Sequence, residues 1–219
     1  MTDVEVVLNV PNVLGEGPMW IARELALYWV DIEGHCFYRL DPAAGQYTRY
    51  DVGQPVGTVV LRESRGALLA LRDGFAFYDM ETRILTPIVD PEADRPASRF
   101  NDGAVDRQGR FWAGTMAEDQ SPVGTLYRLD RNLRVQPMVR GVHVSNGIGW
   151  SPDNHIMYYT DSRIGTIFAY DFDADTGEIA NRRVFVQVDE GSPDGLTVDG
   201  DGFIWSARWD GWKIVRYDP

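Results

Sequence analysis

The most constraining feature of this sequence is an order of strand-like segments that recurs five times along the chain. Each repeat has a turn ending in Gly, a short apolar segment, a second segment rich in Trp, Tyr or Leu, and a third segment that closes on Asp. The closing aspartates step by 38, 51, 41 and 47 residues, and they are Asp41, Asp79, Asp130, Asp171 and Asp218. A period of about 40 to 50 residues is typical of the four-stranded blade of a β-propeller. The sequence therefore predicts an all-β chain of antiparallel blades.

The residue types in each segment favour β-strands throughout the chain. The segments are short, rich in Val, Ile, Tyr, Trp and Phe, and separated by turns of Gly, Pro, Asn and Asp, without sustained helical periodicity. A β-sandwich is also built from short strands, but it does not require a fivefold recurrence of one strand order. We therefore expect residues 1–219 to form a single β-propeller domain.

Closure of the ring is predicted from the two ends of the chain. The fifth repeat ends after its third segment, at Asp218 and Pro219, and residues 4–10, VEVVLNV, belong to no repeat. A propeller can close when one terminus supplies the missing outer strand of the last blade, because an exposed edge invites aggregation. We expect residues 4–10 to pair beside the strand of Tyr217. The alternative is an open ring that lacks one blade.

Charge and composition restrict the partners of this protein. The chain has 21 Lys and Arg against 33 Asp and Glu, a formal net charge of −12 that repels nucleic-acid phosphates and anionic lipids. It contains no apolar run of about 20 residues and no basic, apolar leader, so we expect a cytoplasmic protein without nucleic-acid or membrane partners. Cys36 is the only cysteine, which excludes an intramolecular disulfide, and its strand-like surroundings predict a packed thiol.

Four of the five repeats place an acid or an amide directly before a Gly in the first segment. In a propeller this segment lines the central channel, so equivalent positions form a ring at one mouth. The second repeat has Val56 before Gly57 and leaves one side of the ring apolar. The polar positions are Glu16, Asp102, Asn146 and Asp194, with Asn101 one residue earlier.

Such a ring predicts a site for one divalent metal ion. A single Asn-Gly or Asp-Gly pair would indicate only a turn, but four at one repeat position, including Glu16, favour a shared site. Several carboxylates in one channel would raise each other's pKa unless a cation were present. Because no His or Cys joins the set, its oxygens suit Ca²⁺, Mg²⁺, Mn²⁺ or Fe²⁺ best, although Zn²⁺ can also enter.

The segments around these positions resemble the SMP-30/gluconolactonase/regucalcin family. The resemblance runs from Leu14 to the C-terminus through LGEGPMW, RFNDGAVDRQGRFWAGTM, SNGIGWSPDN, YYTDS and SPDGLTVDGDGFIWSARW. It implies a six-bladed propeller, of which this chain contains about one blade fewer. It also implies metal ligands at Glu16, Asn146 and Asp194 and substrate contacts at Arg99, Asn101 and Asp119.

The sequence predicts the hydrolysis of a small cyclic ester, such as a sugar lactone. A metal ion can polarise the ester carbonyl and stabilise the oxyanion that forms when water attacks. Asp194 is the predicted general base as well as a ligand, while Arg99 and Asn101 would hold hydroxyl groups of the sugar. No GxSxG, HExxH or Walker motif offers another mechanism.

Two other functions are compatible with the same residues. A non-catalytic metal-binding propeller would keep Glu16, Asn146 and Asp194 without turnover, and a Ca²⁺-dependent phosphotriesterase or arylesterase would use a similar site. A propeller that only displays partner-binding surfaces would not need channel acids. Trp209 and Trp212, in the segment SARWDGWK, are further candidates for contact with a sugar ring.

Overall fold

The computed structural model describes residues 5–219 and confirms an all-β chain. Its strands are grouped into five antiparallel sheets arranged as the blades of a β-propeller. No helix within the described residues is long and apolar enough to span a membrane.

The strands follow one another blade by blade along the chain. Blade 1 comprises β1 (Gly15–Ile21), β2 (Ala26–Asp31), β3 (Cys36–Asp41) and β4 (Gln46–Asp51). Blade 2 comprises β5 (Val56–Leu61), β6 (Ala67–Leu71), β7 (Gly74–Tyr78) and β8 (Leu85–Val89). Blade 3 comprises β9 (Ser98–Val105), β10 (Phe111–Ala117), β11 (Gly124–Leu129) and β12 (Val135–Val142). Blade 4 comprises β13 (Ser145–Trp150), β14 (Ile156–Asp161), β15 (Thr166–Phe172) and β16 (Ile179–Gln187), and blade 5 comprises β17 (Ser192–Val198), β18 (Ile204–Trp209) and β19 (Lys213–Tyr217).

Each strand pairs with the next strand along the chain, so every blade is a meander. Two of the aspartates that mark the repeat stabilise the turn between the third and fourth strands. Asp41 Oδ1 accepts hydrogen bonds from the backbone N–H groups of Ala43 and Ala44 at 3.0 and 3.1 Å. Asp79 Oδ1 accepts two backbone hydrogen bonds in the same way in blade 2. In blades 1 and 2 the repeated Asp is therefore a turn-forming residue, as its position after a strand predicts.

The hydrophobic core consists of four apolar layers, each between consecutive blades. An aromatic pair with ring centroids 5.3 to 6.2 Å apart crosses each layer, in the edge-on geometry that aromatic quadrupoles favour. The pairs are Phe37 with Tyr78, Phe75 with Phe111, Trp112 with Phe172, and Phe185 with Tyr217. Stacked blades thus hold their inner strands in a fixed ring around the channel.

The predicted pairing of residues 4–10 with the strand of Tyr217 is not present in the structure. Residues 5–10 form no strand, and blade 5 has three strands with β19 at its edge, while Val4 lies outside the described residues. Val6 and Val7 instead line a cavity against blade 1 together with Leu27 and Trp29. Residues 5–10 thus lie beside blade 1 rather than at the edge of blade 5.

Blades 1 and 5 differ from the other neighbours in the ring. Inner strands of consecutive blades pack on one another from blade 1 to blade 5, but no strand of blade 5 packs extensively on blade 1 within residues 5–219. On the side of blade 5 away from blade 4, Trp205 and Ile214 are 40% and 67% exposed. Within the described residues, blade 5 therefore leaves one face uncovered.

Candidate functional site

A cavity of about 370 Å³ lies at the channel mouth, between blades 1, 3, 4 and 5. It brings together five of the six residues predicted to bind metal or substrate, and Asp102 with them. Leu14, Ile32 and Val144 add apolar wall. The predicted residues that line it are Glu16, Arg99, Asn101, Asp102, Asn146 and Asp194.

A β-bulge in each inner strand points these side chains toward the channel. The pairing register shifts after Glu16 in β1, after Asn146 in β13 and after Pro193 in β17. Comparable shifts interrupt β5 and the pairing of β9 with β10. A bulge inserts an extra residue and redirects a side chain, and bulges are frequent next to active sites. The acid-Gly or amide-Gly pair seen in the sequence is thus the bulge itself.

One glycine that follows a predicted ligand allows inner strands of neighbouring blades to approach. A Cβ atom on Gly147 would lie 2.5 Å from the backbone nitrogen of Leu196 and 2.7 Å from the carbonyl oxygen of Asp194. Gly57 is similarly close to the carbonyl oxygen of Asn101. Contacts this short exclude any larger residue unless a strand moves. Gly147 therefore sets the spacing between the ligand-bearing strands β13 and β17.

Three carboxyl groups share the cavity, and their proton affinities are raised. Burial, followed by the charges of Asp194 and Asp102, raises the pKa of Glu16 to about 7 against the opposing effect of Arg99. Burial also raises the pKa of Asp102 to about 7, although the backbone N–H of Gly103 donates to its carboxylate at 2.7 Å. Burial raises the pKa of Asp194 as well, against a hydrogen bond from the Asn146 amide. A cation placed among these groups would relieve the repulsion.

Asn146 is held so that its amide oxygen is available. The side chain is 8% exposed. Nδ2 donates to Ser162 Oγ at 3.0 Å and also donates a hydrogen bond to the Asp194 carboxylate. An amide nitrogen cannot ligate a cation, so the remaining Oδ1 is the atom that could. Asn101 stands beside it, because Asn101 Nδ2 donates to the Ser145 carbonyl at 2.8 Å across blades 3 and 4.

The donor set fits a hard divalent cation. Within residues 5–219, no three Asp, Glu, His or Cys side chains lie close enough to make a metal site from those types alone. The predicted ligand set instead combines the carboxylates of Glu16 and Asp194 with the amide oxygen of Asn146. Three protein oxygens leave positions for water or substrate on a cation that takes about six to eight oxygen ligands, as Ca²⁺ does.

Arg99 is a largely buried cation at the cavity wall. Its Nη1 donates to Asn101 Oδ1 at 2.7 Å and to the Phe100 carbonyl at 3.1 Å, and Nη2 lies 3.9 Å from Glu33 Oε1. Burial lowers the pKa of Arg99 from its ordinary value, partly offset by Glu33. Its contact with Asn101 orients both side chains on β9, which explains why they occur together in RFNDG.

Asp119 is the one predicted site residue that does not line the cavity. It is fully exposed, and its carboxylate accepts a hydrogen bond from the Ser121 backbone N–H at 3.0 Å. The next residue, Gln120, has φ of 55° and lines the cavity instead. Sequence comparison by position alone cannot tell which of two adjacent turn residues faces inward.

Two buried aspartates that support the site were not predicted. Asp31 Oδ1 and Oδ2 accept hydrogen bonds from the backbone of Leu14 and Val13, just before β1. Asp161 accepts from the backbone of Val144 and His143, just before β13, and also contacts His143 Nδ1 at 3.1 Å. Both end the second strand of a blade, in YWVD and YYTD. The recurrence of this Asp in two repeats is the sequence signal from which both residues could have been predicted.

Three further residues complete the mouth of the cavity: Arg163, Trp209 and Asp210. Trp209 is 52% exposed and presents an aromatic surface there, whereas Trp212 is 96% exposed and does not line the cavity. An exposed indole beside a polar cavity is a suitable surface for the apolar face of a sugar.

Comparison with known proteins identifies the family of the chain. The sequence model described as "SMP-30/Gluconolactonase/LRE-like region" matches residues 14–219. The chain belongs to this family. The match spans all five blades, including every predicted ligand of the SMP-30/gluconolactonase site.

Relatives within the SMP-30/gluconolactonase family cover nearly the whole chain. Regucalcin of Xenopus laevis is 37% identical over 224 residues, 99% of this chain and 75% of that protein. The 6-deoxy-6-sulfogluconolactonase of Pseudomonas putida is 37% identical over 220 residues, again 99% and 75%. The solved structure of regucalcin from Agrobacterium tumefaciens, described as a calcium-binding protein, has a TM-score of 0.89 with 28% identity, covering 97% of this chain and 77% of that one. The family thus includes a named lactonase and a protein described as calcium-binding.

Proposed function

We propose that this protein hydrolyses a sugar lactone, an aldonolactone, to the open aldonic acid with the help of one divalent metal ion. The observation that carries this proposal is the convergence of Glu16, Asn146 and Asp194 from three blades in a cavity that also contains Arg99 and Asn101. Cation-binding oxygens and sugar-binding donors therefore face the same space.

Glu16, Asn146 and Asp194 are the residues that would hold the ion. When bound, a divalent ion supplies a Lewis acid for the lactone carbonyl and charge stabilisation for the oxyanion. Its identity is proposed only as a hard cation, with Ca²⁺, Mg²⁺, Mn²⁺, Fe²⁺ or Zn²⁺ compatible with oxygen ligands.

The side chains around the ligands divide the remaining work. Asp194 takes the proton from the attacking water, a role that suits a carboxylate with a raised pKa. The water oxygen bonds to the carbonyl carbon, and the ring C–O bond breaks as Asp194 returns that proton to the leaving ring oxygen, which becomes a hydroxyl group. The new carboxylic acid then releases its own proton to solvent. Arg99 and Asn101 hold hydroxyl groups of the sugar. We assign the remaining polar contact to Gln120 or Asp119, of which Gln120 lines the cavity.

The named lactonase among the relatives supports this reaction class, and the calcium-binding relative supports the cation. The same cation site would also suit a phosphotriesterase or an arylesterase. It would equally suit a propeller that binds metal without turnover, so the substrate has to be tested directly.

The test is proton release from D-glucono-1,5-lactone by purified protein of measured metal content. We expect saturable hydrolysis that a chelator abolishes and that added divalent metal restores to differing degrees. An aryl ester and a phosphotriester are run in parallel. Full lactone hydrolysis by metal-free protein contradicts the metal role, and hydrolysis of only the parallel substrates contradicts the lactonase assignment.

A further inference from the structure

Arg163 is a cation on the cavity wall that the proposed reaction does not use. It lies in the turn between β14 and β15 and lines the cavity beside Ser162, the partner of the Asn146 amide. Within residues 5–219 its side chain forms no ion pair, hydrogen bond or cation–π contact. By contrast, Arg99, which lines the same cavity, is engaged by Asn101 and approached by Glu33.

Arg163 has no acid partner although three carboxylates of the site and Asp210 line the same cavity. The chain has a net charge of −12, and other arginines of blades 1 and 4 pair with acids, as Arg39 does with Glu24 and Arg183 with Asp171. A free guanidinium at a ligand cavity keeps its donors for a group that arrives from solvent. Its planar pair of N–H donors matches a carboxylate, sulfonate or phosphate.

We propose that the substrate is a lactone that carries a negatively charged group away from its carbonyl, and that Arg163 binds this group. The inference rests on the proposed lactonase function and adds a substrate class to it. The carbonyl is placed at Glu16, Asn146 and Asp194, while the anionic group lies at the exposed mouth. Separation of the two charges keeps the anion from competing for the deep cation site.

The experiment compares kcat/KM for D-glucono-1,5-lactone, which is neutral, with kcat/KM for D-glucaro-1,4-lactone and 6-phospho-D-glucono-1,5-lactone, which are anionic. Wild-type protein is expected to prefer at least one anionic lactone by about tenfold or more, as expected for a partly exposed ionic contact. Arg163→Gln should reduce that ratio to near one, and Arg163→Lys should keep part of it. Arg140→Gln, which removes an exposed arginine of β12 outside the cavity, is the charge-matched control and should keep the wild-type ratio.

Calorimetric binding of 6-phosphogluconate and gluconate separates this inference from the function on which it rests. If no lactone is hydrolysed but Arg163→Gln selectively weakens 6-phosphogluconate binding, the lactonase assignment fails and the anion contact is kept. If the neutral lactone is preferred, or if Arg163→Gln leaves both the kinetic ratio and acid binding unchanged, Arg163 has no such role.

Discussion

At the channel mouth, the carboxylates of Glu16, Asp102 and Asp194 differ in their surroundings. Asp102 accepts a hydrogen bond from the backbone N–H of Gly103, Asp194 accepts one from the Asn146 amide, and Glu16 is approached by Arg99. We propose that Asp102 adds negative charge to the site and that Glu16 and Asp194 ligate the ion. The three groups can be separated experimentally.

We expect Glu16→Ala and Asp194→Ala to weaken binding of Mn²⁺ or Ca²⁺ by more than about 100-fold, and Asp102→Ala by less than about tenfold. The reason is that the first two changes remove ligand oxygens, whereas the third removes only nearby charge. Isothermal titration calorimetry measures the affinities, with Asp175→Ala in the exposed β15–β16 turn as the charge control. Equal losses in all three cavity variants would show that Asp102 is also a ligand.

The sequence predicted which residues line the cavity better than it predicted which way their side chains point. Glu16, Asp102, Asn146 and Asp194 were recognisable because an acid or an amide precedes Gly at one repeat position. Asp119 was assigned from the family resemblance, in a turn where a change of one residue decides which side chain faces inward. Asp31 and Asp161 were overlooked because a buried Asp after a strand resembles an ordinary turn residue.

Among the elements, the inner strands depend most directly on single residues. Gly147 of β13 lies against the backbone of β17, whereas a Cβ on Gly195 would meet no atom within 4 Å. Both glycines follow a predicted ligand, so they form a matched pair. Gly147 has no room for a Cβ atom, whereas Gly195 does.

We expect Gly147→Ala to push β17 away from β13, weaken metal binding through Asp194 and lower the melting temperature by several degrees. A new methyl group against backbone costs about 1–3 kcal/mol. Gly195→Ala should change either quantity little. Calorimetric affinity and thermal unfolding measure the two effects, and equal behaviour of the two variants would argue against spacing by Gly147.

Strand patterns were predictable where strands are buried and less so elsewhere. The second and third strands carry long apolar runs because they face neighbouring blades on both sides. Outer strand β4, QYTRYD, buries only Tyr50 and therefore lacks the alternation that marks a strand. Residues 4–10 show the opposite case, since alternation predicted a strand but residues 5–10 lie against blade 1 without one.

For the molecule as a whole, we propose that residues 1–219 form one domain, since four apolar layers join the blades without interruption. Protonation of the acids in the channel then changes the free energy of unfolding of the entire domain. Folding raises the pKa of Glu16 and Asp102 to about 7, so the folded state binds protons more tightly than the unfolded state. Their contribution to stability is present at low pH and is lost as pH rises through about 7.

We therefore expect the melting temperature of chelated protein to fall by at least about 3 °C from about pH 5 to about pH 8. Groups with lowered pKa, such as Asp199 at about 2, act below this window and do not oppose the trend. Added divalent metal should raise the melting temperature most at the higher pH. Differential scanning fluorimetry measures both effects, and Asp102→Asn should flatten the chelated profile; a profile unchanged by that substitution would refute the assignment.

Glu16 belongs to the first blade and Asp194 to the last, although strands of these two blades hardly pack on one another. An ion bound by both carboxylates joins two points of the chain that are far apart in sequence. In polymer terms such an ion would close a loop that runs from residue 16 to residue 194, and only the folded state would gain this connection. The stabilisation would then grow with the concentration of free ion relative to its dissociation constant. The ion would thus have a mechanical role that is independent of catalysis, because it would connect blade 1 with blade 5.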